Sequence, residues 1–319
     1  MPNATVRLPA RTSPPARPRR AGRHRRGATI AVIAVVVVAG AAAWAWWNGS
    51  VGPVTVREHC TAVANGKTAE LDPEQAGNAA IIAAVATYRN LPARAASIGI
   101  ATSIQEAKLR NISYGDRDSL GLFQQRPSQG WGTREQILDP VYATNAFYDV
   151  LAKVDGFQNM PITDVAQKVQ RSAFPDAYAG HEPEARIIAS ALSGYSPGGF
   201  TCVLRQPHLA AQSPQEDGLT ARALAVRSAA RHETGQPTAV SAADDGTWLR
   251  YSVSGGGGKP ADVRRASWSL AHWAVARAQG LAVTHVKIDS QEWRRDASQD
   301  GWVTSGQSLP AGTVLISVA

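Results

Sequence analysis

The run Gln105-Glu106-Ala107-Lys108-Leu109-Arg110-Asn111-Ile112-Ser113-Tyr114-Gly115-Asp116-Arg117-Asp118-Ser119-Leu120-Gly121-Leu122-Phe123-Gln124-Gln125-Arg126-Pro127-Ser128-Gln129-Gly130-Trp131 sets a carboxylate near the end of an apolar helix and follows it with a glycine-rich polar turn. The pattern predicts a helix from about Pro92 to Arg110, with Ile98, Ala101, Ile104 and Leu109 near one face. Its alanine and glycine content allows close packing on every side, so a buried helix is expected. Glu106 falls in the last turn or so, where the helix dipole disfavours negative charge and apolar neighbours withhold water. Both effects raise a carboxyl pKa, which suits a general acid. The plain alternative is a solvated glutamate at a helix end.

Glu106 followed by Ser119, Gly121, Leu122 and Gln124 resembles the Glu-Ser plus Ser-x-x-Gly-Leu-x-Gln signature of soluble lytic transglycosylases and goose-type lysozymes. This chain departs from it in having Ala107 after the acid and one residue fewer between Ser119 and Gly121. The longer run from Tyr114 to Trp131 resembles that of actinobacterial membrane proteins with a lysozyme-like extracellular domain, some of them labelled heavy-metal transporters. The resemblance covers about Asp72 to Cys202. It implies that peptidoglycan glycan strands are the partner and that their β-1,4 links are cleaved with Glu106 as the acid. It further implies that Ser119 and Gln124 bind substrate or hold the loop, and that Tyr178 is a substrate-binding aromatic of the cleft, a position that core packing explains equally well. A second carboxylate opposite Glu106, Asp116 or Asp118, is required by the usual two-carboxylate scheme for glycosidases. Such a carboxylate is dispensable in the resembled transglycosylases, where the substrate N-acetyl group assists departure and a sugar hydroxyl closes an anhydro ring. Solvated charges or loop-ordering caps are the simpler reading of both aspartates.

Charge and hydropathy locate the chain. Residues 1–47 hold eight of the 33 basic residues and no acid, so the rest balances 25 basic against 25 acidic residues. An Arg/Pro-rich tail without apolar residues does not fold, and a basic tail beside a hydrophobic segment argues against nucleic-acid binding. Residues 28–47 carry no charge and have the length of a membrane-spanning helix. Arg23, Arg25 and Arg26 precede this run, and Trp44, Trp46 and Trp47 end it, which predicts a cytoplasmic N-terminus and an uncleaved anchor rather than a signal peptide. The main part of the chain is then extracytoplasmic. Cys60 and Cys202, the only two cysteines, bracket the resembled stretch as a disulfide staple would, with two buried thiols as the alternative.

The expected organisation is a basic tail (1–27), a transmembrane helix (28–47), a stalk (48–59), a mainly α lysozyme-like (α+β) extracellular domain (60–205), a linker (206–218) and a small α+β accessory domain (219–319). Asp72-Pro73 and Asp139-Pro140 each offer an N-cap and a first-turn proline, predicting helices to about Tyr88 and Val154. Further helices are expected at 163–171, 182–192, 219–232 and 262–279, and strands at 247–254, 281–288 and 313–318. Trp268 and Trp273 fit a buried helical stripe, whereas Trp293 and Trp302, set among polar residues, suggest a binding surface. Gly194-Tyr195-Ser196-Pro197-Gly198 matches a nucleophile-elbow pattern but follows a helix, so it reads as a helix-ending loop. The seven histidines lack metal-ligand spacing, and neither a metal nor another cofactor is expected. A catalytically silent peptidoglycan-binding or scaffold protein remains the alternative to the enzyme, and cleavage to a reducing end or to an anhydro product are both compatible with one acid.

Overall fold

Asn65 and Gly66, with φ of 51° and 71°, form the pair of left-handed residues that a two-residue hairpin turn requires to match strand twist. They join β1 (His59–Ala64) to β2 (Lys67–Leu71) in antiparallel register. Strand β3 (Phe200–Val203) pairs with the other edge of β1, giving a three-stranded sheet in the order β2-β1-β3. Cys60 and Cys202 lie opposite each other in that pairing and are joined by a disulfide. The structure, a computed structural model, describes residues 56–319 apart from 171–174, 216, 237–238, 242–244 and 256–258. The expected tail, the expected span at 28–47 and most of the expected stalk lie outside the described residues.

The described chain is a mixed α+β structure with two sheets, which corrects the expectation of a mainly α lysozyme-like fold. Among the described residues no helix is long and apolar enough to cross a membrane. The helical bias of the expectation has a physical source. Strands β1 to β3 are short and rich in Ala and Thr, so they lack the strong apolar alternation that announces a strand.

Between β2 and β3 lie the helices α1 (Pro73–Tyr88), α2 (Ala93–Ala107), α3 (Arg134–Ile137), α4 (Pro140–Leu151), α5 (Ile162–Gln170) and α6 (Glu182–Leu192). Asp72 starts α1 by a capping box with Gln75, and Asp139 caps α4. Every residue of α1 from Ala76 to Ala86 is buried, so this helix is surrounded rather than amphipathic. Helix α2 packs closely against it at Gly99, where an added Cβ would lie 2.9 Å from both Ile82 Cγ2 and the Tyr148 hydroxyl of α4. That hydroxyl donates to the Ile82 carbonyl at 3.0 Å, locking α4 to α1.

The C-terminal part holds α7 (Ala221–Thr234), α8 (Pro260–Ala276), α9 (Ala278–Leu281) and the strands β4 (Ala239–Ser241), β5 (Trp248–Ser252), β6 (Val283–Ile288), β7 (Gln291–Arg294), β8 (Trp302–Thr304) and β9 (Thr313–Val318). The strands form an antiparallel sheet in the order β4-β5-β9-β6-β7-β8. Alternate residues such as Leu249, Tyr251, Val286, Ile288, Val314 and Ile316 are buried, as period-two burial of one face requires.

Residues 206–218 carry no helix or strand among those described, as a linker would, yet the segments on either side interlock and 56–319 forms one compact unit. Helix α8 packs on α1, α6 and β3. Its Ser269 hydroxyl donates to Leu192 O at 2.8 Å, and His272 Nδ1 lies 2.8 Å from Ala191 O. Burial holds His272 in its neutral form by lowering its pKa to about 4. Trp268 and Trp273 are buried, as the helical stripe predicts. Trp293 and Trp302 do not form the expected binding surface: Trp293 is fully buried and donates to Cys202 O at 3.1 Å, and Trp302 donates to Phe200 O at 2.7 Å. Both indoles cover the backbone of β3.

The disulfide closes a separation of 142 residues. In the chain-entropy model such a loop stabilises the fold by up to about 5 kcal/mol. Denaturant unfolding of a Cys60→Ser/Cys202→Ser variant is expected to show a loss of that order, and reductant is expected to lower the midpoint of the native protein but not of the variant.

Candidate active site around Glu106

Helix α2 ends one residue after Glu106. Lys108 and Leu109 both take left-handed backbone conformations, with φ of 52° and 57°, and their N–H groups return to Ile104 O and Ser103 O. The two carbonyls exposed by that reversal are taken up by side chains of α1. Gln75 Nε2 donates to Lys108 O at 3.0 Å and Asn78 Nδ2 to Leu109 O at 2.7 Å. Arg110 then reaches back to the carboxylates of Asp72 and Glu74.

Glu106 itself is half-buried. Burial raises its pKa above the ordinary value, and hydrogen bonds from Tyr178 and Gln170 pull it back in part. The Tyr178 hydroxyl donates to Glu106 Oε1 at 2.5 Å. Tyr178 belongs to the 3-10 turn Pro175–His181 and is fully buried. Its ring is thus enclosed rather than open to solvent, in keeping with core packing as the account of it. From the same turn, His181 Nε2 lies 3.0 Å from Gln105 Oε1, so two successive side chains of α2 are held.

The polar turn after α2 is a tight loop with a single bridge between Leu120 and Gln125. Leu122 and Phe123 are fully buried, and Phe123 stacks on Phe147 of α4 with ring centroids 4.6 Å apart. The Phe123 carbonyl accepts from Gln170 Nε2 at 2.7 Å, and the same amide is near enough to the Glu106 carboxylate to lower its pKa. Gln170 thus joins the loop to the acid. Gly121 has φ of 74°, and a Cβ there would lie 2.6 Å from Ile137 O, so both the backbone conformation and the space require glycine.

The other expected site residues belong to this loop and have defined places in it. Ser119 is buried, and its N–H donates to Asp116 O at 3.0 Å. Gln124, with φ of 48°, donates to Tyr114 O at 3.3 Å and Gly121 O at 3.4 Å, which makes it a loop-holding residue. Asp118 accepts Arg126 Nε at 2.6 Å on one oxygen and Ser128 N at 2.8 Å on the other. The Ser128 and Arg126 hydrogen bonds hold its carboxyl far below the usual range. Asp116 is 93% exposed, and its ion-pair contact is Arg117 at 3.9 Å. Asp118 is thus a loop-ordering group and Asp116 a solvated one, which is the simpler reading of both aspartates rather than that of a second carboxylate. Gln170 and His181 were not foreseen, and nothing local in the sequence distinguishes them.

A groove of about 430 Å³ abuts the site, lined by Gln129, Gly130, Trp131, Val150, Lys168, Val169 and Gln170. Its wall combines an indole with amides and one ammonium. Among the described residues, no cluster of three or more His, Cys, Asp or Glu side chains is arranged to hold a metal ion. Comparison with known protein families and with characterised proteins gives no match.

Two outcomes follow from this geometry. Tyr178→Phe removes a donor that favours the charged carboxylate, so the Glu106 midpoint is expected to move upward in a carbon-13 NMR titration. A carboxyl whose folded pKa is raised binds protons more tightly in the folded than in the unfolded state. Its contribution to stability is therefore present at low pH and lost as pH rises through the folded pKa, and the variant extends that window upward. Gly121→Ala is expected to destabilise by at least about 1–3 kcal/mol in urea unfolding, from left-handed strain alone.

Proposed function

We propose that this protein cleaves the β-1,4 bond between N-acetylmuramic acid and N-acetylglucosamine in peptidoglycan glycan strands, with Glu106 as its single acid and base. The observation that carries the reading is the state of Glu106: half-buried at the end of a buried helix, raised in pKa, and held by Tyr178 and Gln170. A carboxyl in that setting stays protonated to higher pH than a solvated one and can give its proton to a glycosidic oxygen. The resemblance of the run from Glu106 to Gln124 to lytic transglycosylases and goose-type lysozymes supports the substrate class.

With Asp118 engaged by Arg126 and Ser128 and Asp116 in solvent, the route that fits is substrate-assisted. Glu106 protonates the leaving oxygen as the C1–O bond breaks, and the carbonyl oxygen of the substrate N-acetyl group bonds to C1. The Glu106 carboxylate then takes the proton of the incoming hydroxyl, which displaces the acetyl oxygen from C1. The incoming group is the sugar's own C6 hydroxyl in a transglycosylase and water in a muramidase. Trp131, at the adjoining groove, offers a face on which a sugar ring can stack. The disulfide supports an exported, oxidising location, which is where the substrate lies.

The test is mass spectrometry of fragments released from purified cell walls by the full chain and by Glu106→Gln. Release is expected to fall by roughly 10²–10⁴-fold in the variant, the span attributed to a general acid. Anhydro products identify the transglycosylase and reducing ends the muramidase. If neither protein releases fragments while both sediment with the walls, cleavage is refuted and the chain is a wall-binding protein.

A further inference from the structure

The largest groove of the described residues, about 1020 Å³, starts between the first turns of α2 and α6 and follows α6 past the β1–β2 turn to Tyr195. Ser97 lines it and precedes Glu106 by nine residues on one helix. That is about two and a half turns, so the groove and the acid lie on opposite faces of α2. An occupant of the groove therefore leaves Glu106 free. The charged lining is Lys67, Arg94, Arg186 and a single acid, Glu182. Arg94 and Arg186 both donate to Glu182. Two guanidiniums share one carboxylate, which leaves one positive charge uncompensated, and exposed Lys67 of the hairpin adds a second.

Arg94 is fixed by donating also to Met160 O at 3.0 Å, whereas Arg186 is 67% exposed and its pairing with Glu182 is correspondingly weak. Arg186 and Lys67 are thus available to a ligand. Asn65, Gln158 and Asn159 are exposed along the same lining and offer carboxamide donors and acceptors. At the far end, the Gly194-Tyr195-Ser196-Pro197-Gly198 run forms the loop that ends α6. Gly194 has φ of 77°, and a Cβ there would lie 2.0 Å from Arg265 O, so the loop is pressed against α8. Tyr195 projects from it 54% exposed, with the Arg265 guanidinium 5.0 Å from its ring centroid.

This lining selects its occupant. Available cations on two separate elements call for more than one negative group, and a single oxoanion would leave most of the groove empty. Exposed carboxamides match hydroxyl groups, and an open tyrosine ring is a platform for the face of a sugar. Of the edge strand β2 only Lys67 reaches the groove, so a peptide backbone finds no strand edge to pair with. We propose that the groove binds an acidic polysaccharide, a chain of sugar rings bearing carboxylate or phosphate groups. The negative groups meet Lys67 and Arg186, and one ring lies on Tyr195. This site is separate from Glu106 and does not depend on the reaction assigned there.

Isothermal titration calorimetry of the full chain at physiological ionic strength tests the assignment. The probes are hexagalacturonate, whose rings carry carboxylates, and an oligomer of N-acetylglucosamine 1-phosphate, whose rings are joined by phosphates. Binding of at least one is expected, and which one binds identifies the source of the charge. Neutral maltohexaose and hexaglutamate are expected to bind at least tenfold more weakly. Lys67→Ala/Arg186→Ala is expected to weaken glycan binding at least tenfold and Tyr195→Ala severalfold, while Glu106→Gln binds as the wild type does. The replaced side chains are exposed, and both variants keep the arginine-rich tail, so a loss reports on the groove and not on the tail. Binding of neither glycan, unchanged binding by the double variant or by Tyr195→Ala, or hexaglutamate binding as tightly as the glycans overturns the proposal.

Discussion

The position of Glu106 depends on how the end of its helix is tied to the start of the preceding one. Asp72 Oδ1 accepts the Gln75 N–H that opens α1, and Oδ2 accepts Arg110 just beyond α2. Gln75 and Asn78, from the first two turns of α1, take the carbonyls of Lys108 and Leu109. The magnitudes rank these ties. Arg110 and Asp72 are 39% and 37% exposed, and such a pair is worth about 0–1 kcal/mol. Asn78 is buried, and leaving its carbonyl partner without a donor would cost about 1–3 kcal/mol. The amide of Asn78 is therefore the principal anchor, and the ion pair refines its geometry.

Environment, more than residue type, divides the three acids of this region. Glu106 is half-buried with little water, and its pKa rises. Asp118 receives a backbone N–H and a guanidinium, and its pKa falls. Asp116 stands in solvent. Of Glu106 and Asp118, only Glu106 has surroundings that favour its protonated form. A loop built around Asp118 and Gly121 can therefore be rigid without competing for the chemistry.

Much of the helical framework was legible because its signals are local. Asp72-Pro73 and Asp139-Pro140 place an N-cap and a first-turn proline where α1 and α4 begin, and α6 begins and ends at the residues its pattern indicates. Glu106 was legible from its place at the end of an apolar helix. The hairpin at 59–71 carried an Asn-Gly turn and was overlooked because its alanine-rich strands alternate weakly. Trp293 and Trp302 misled because their sequence neighbours are polar, whereas the groups they cover lie 91 and 102 residues away. Gln170 and the hydroxyl of Tyr178 reach Glu106 across 64 and 72 positions, a kind of proximity that no local pattern encodes.

Strand β3 receives the disulfide from one side of the chain and the indoles of Trp293 and Trp302 from the other. This arrangement imposes an order in time. β1 is among the first segments of the described chain to be made, but it has no partner on its β3 edge until residue 200, and β3 lacks its indole cover until residue 302. Contacts of such long sequence separation form late, since loop closure must be met before they contribute. The bracket around α1 and α2 thus closes only when nearly the whole chain is present, so a nascent or truncated chain would carry Glu106 in an unfinished frame.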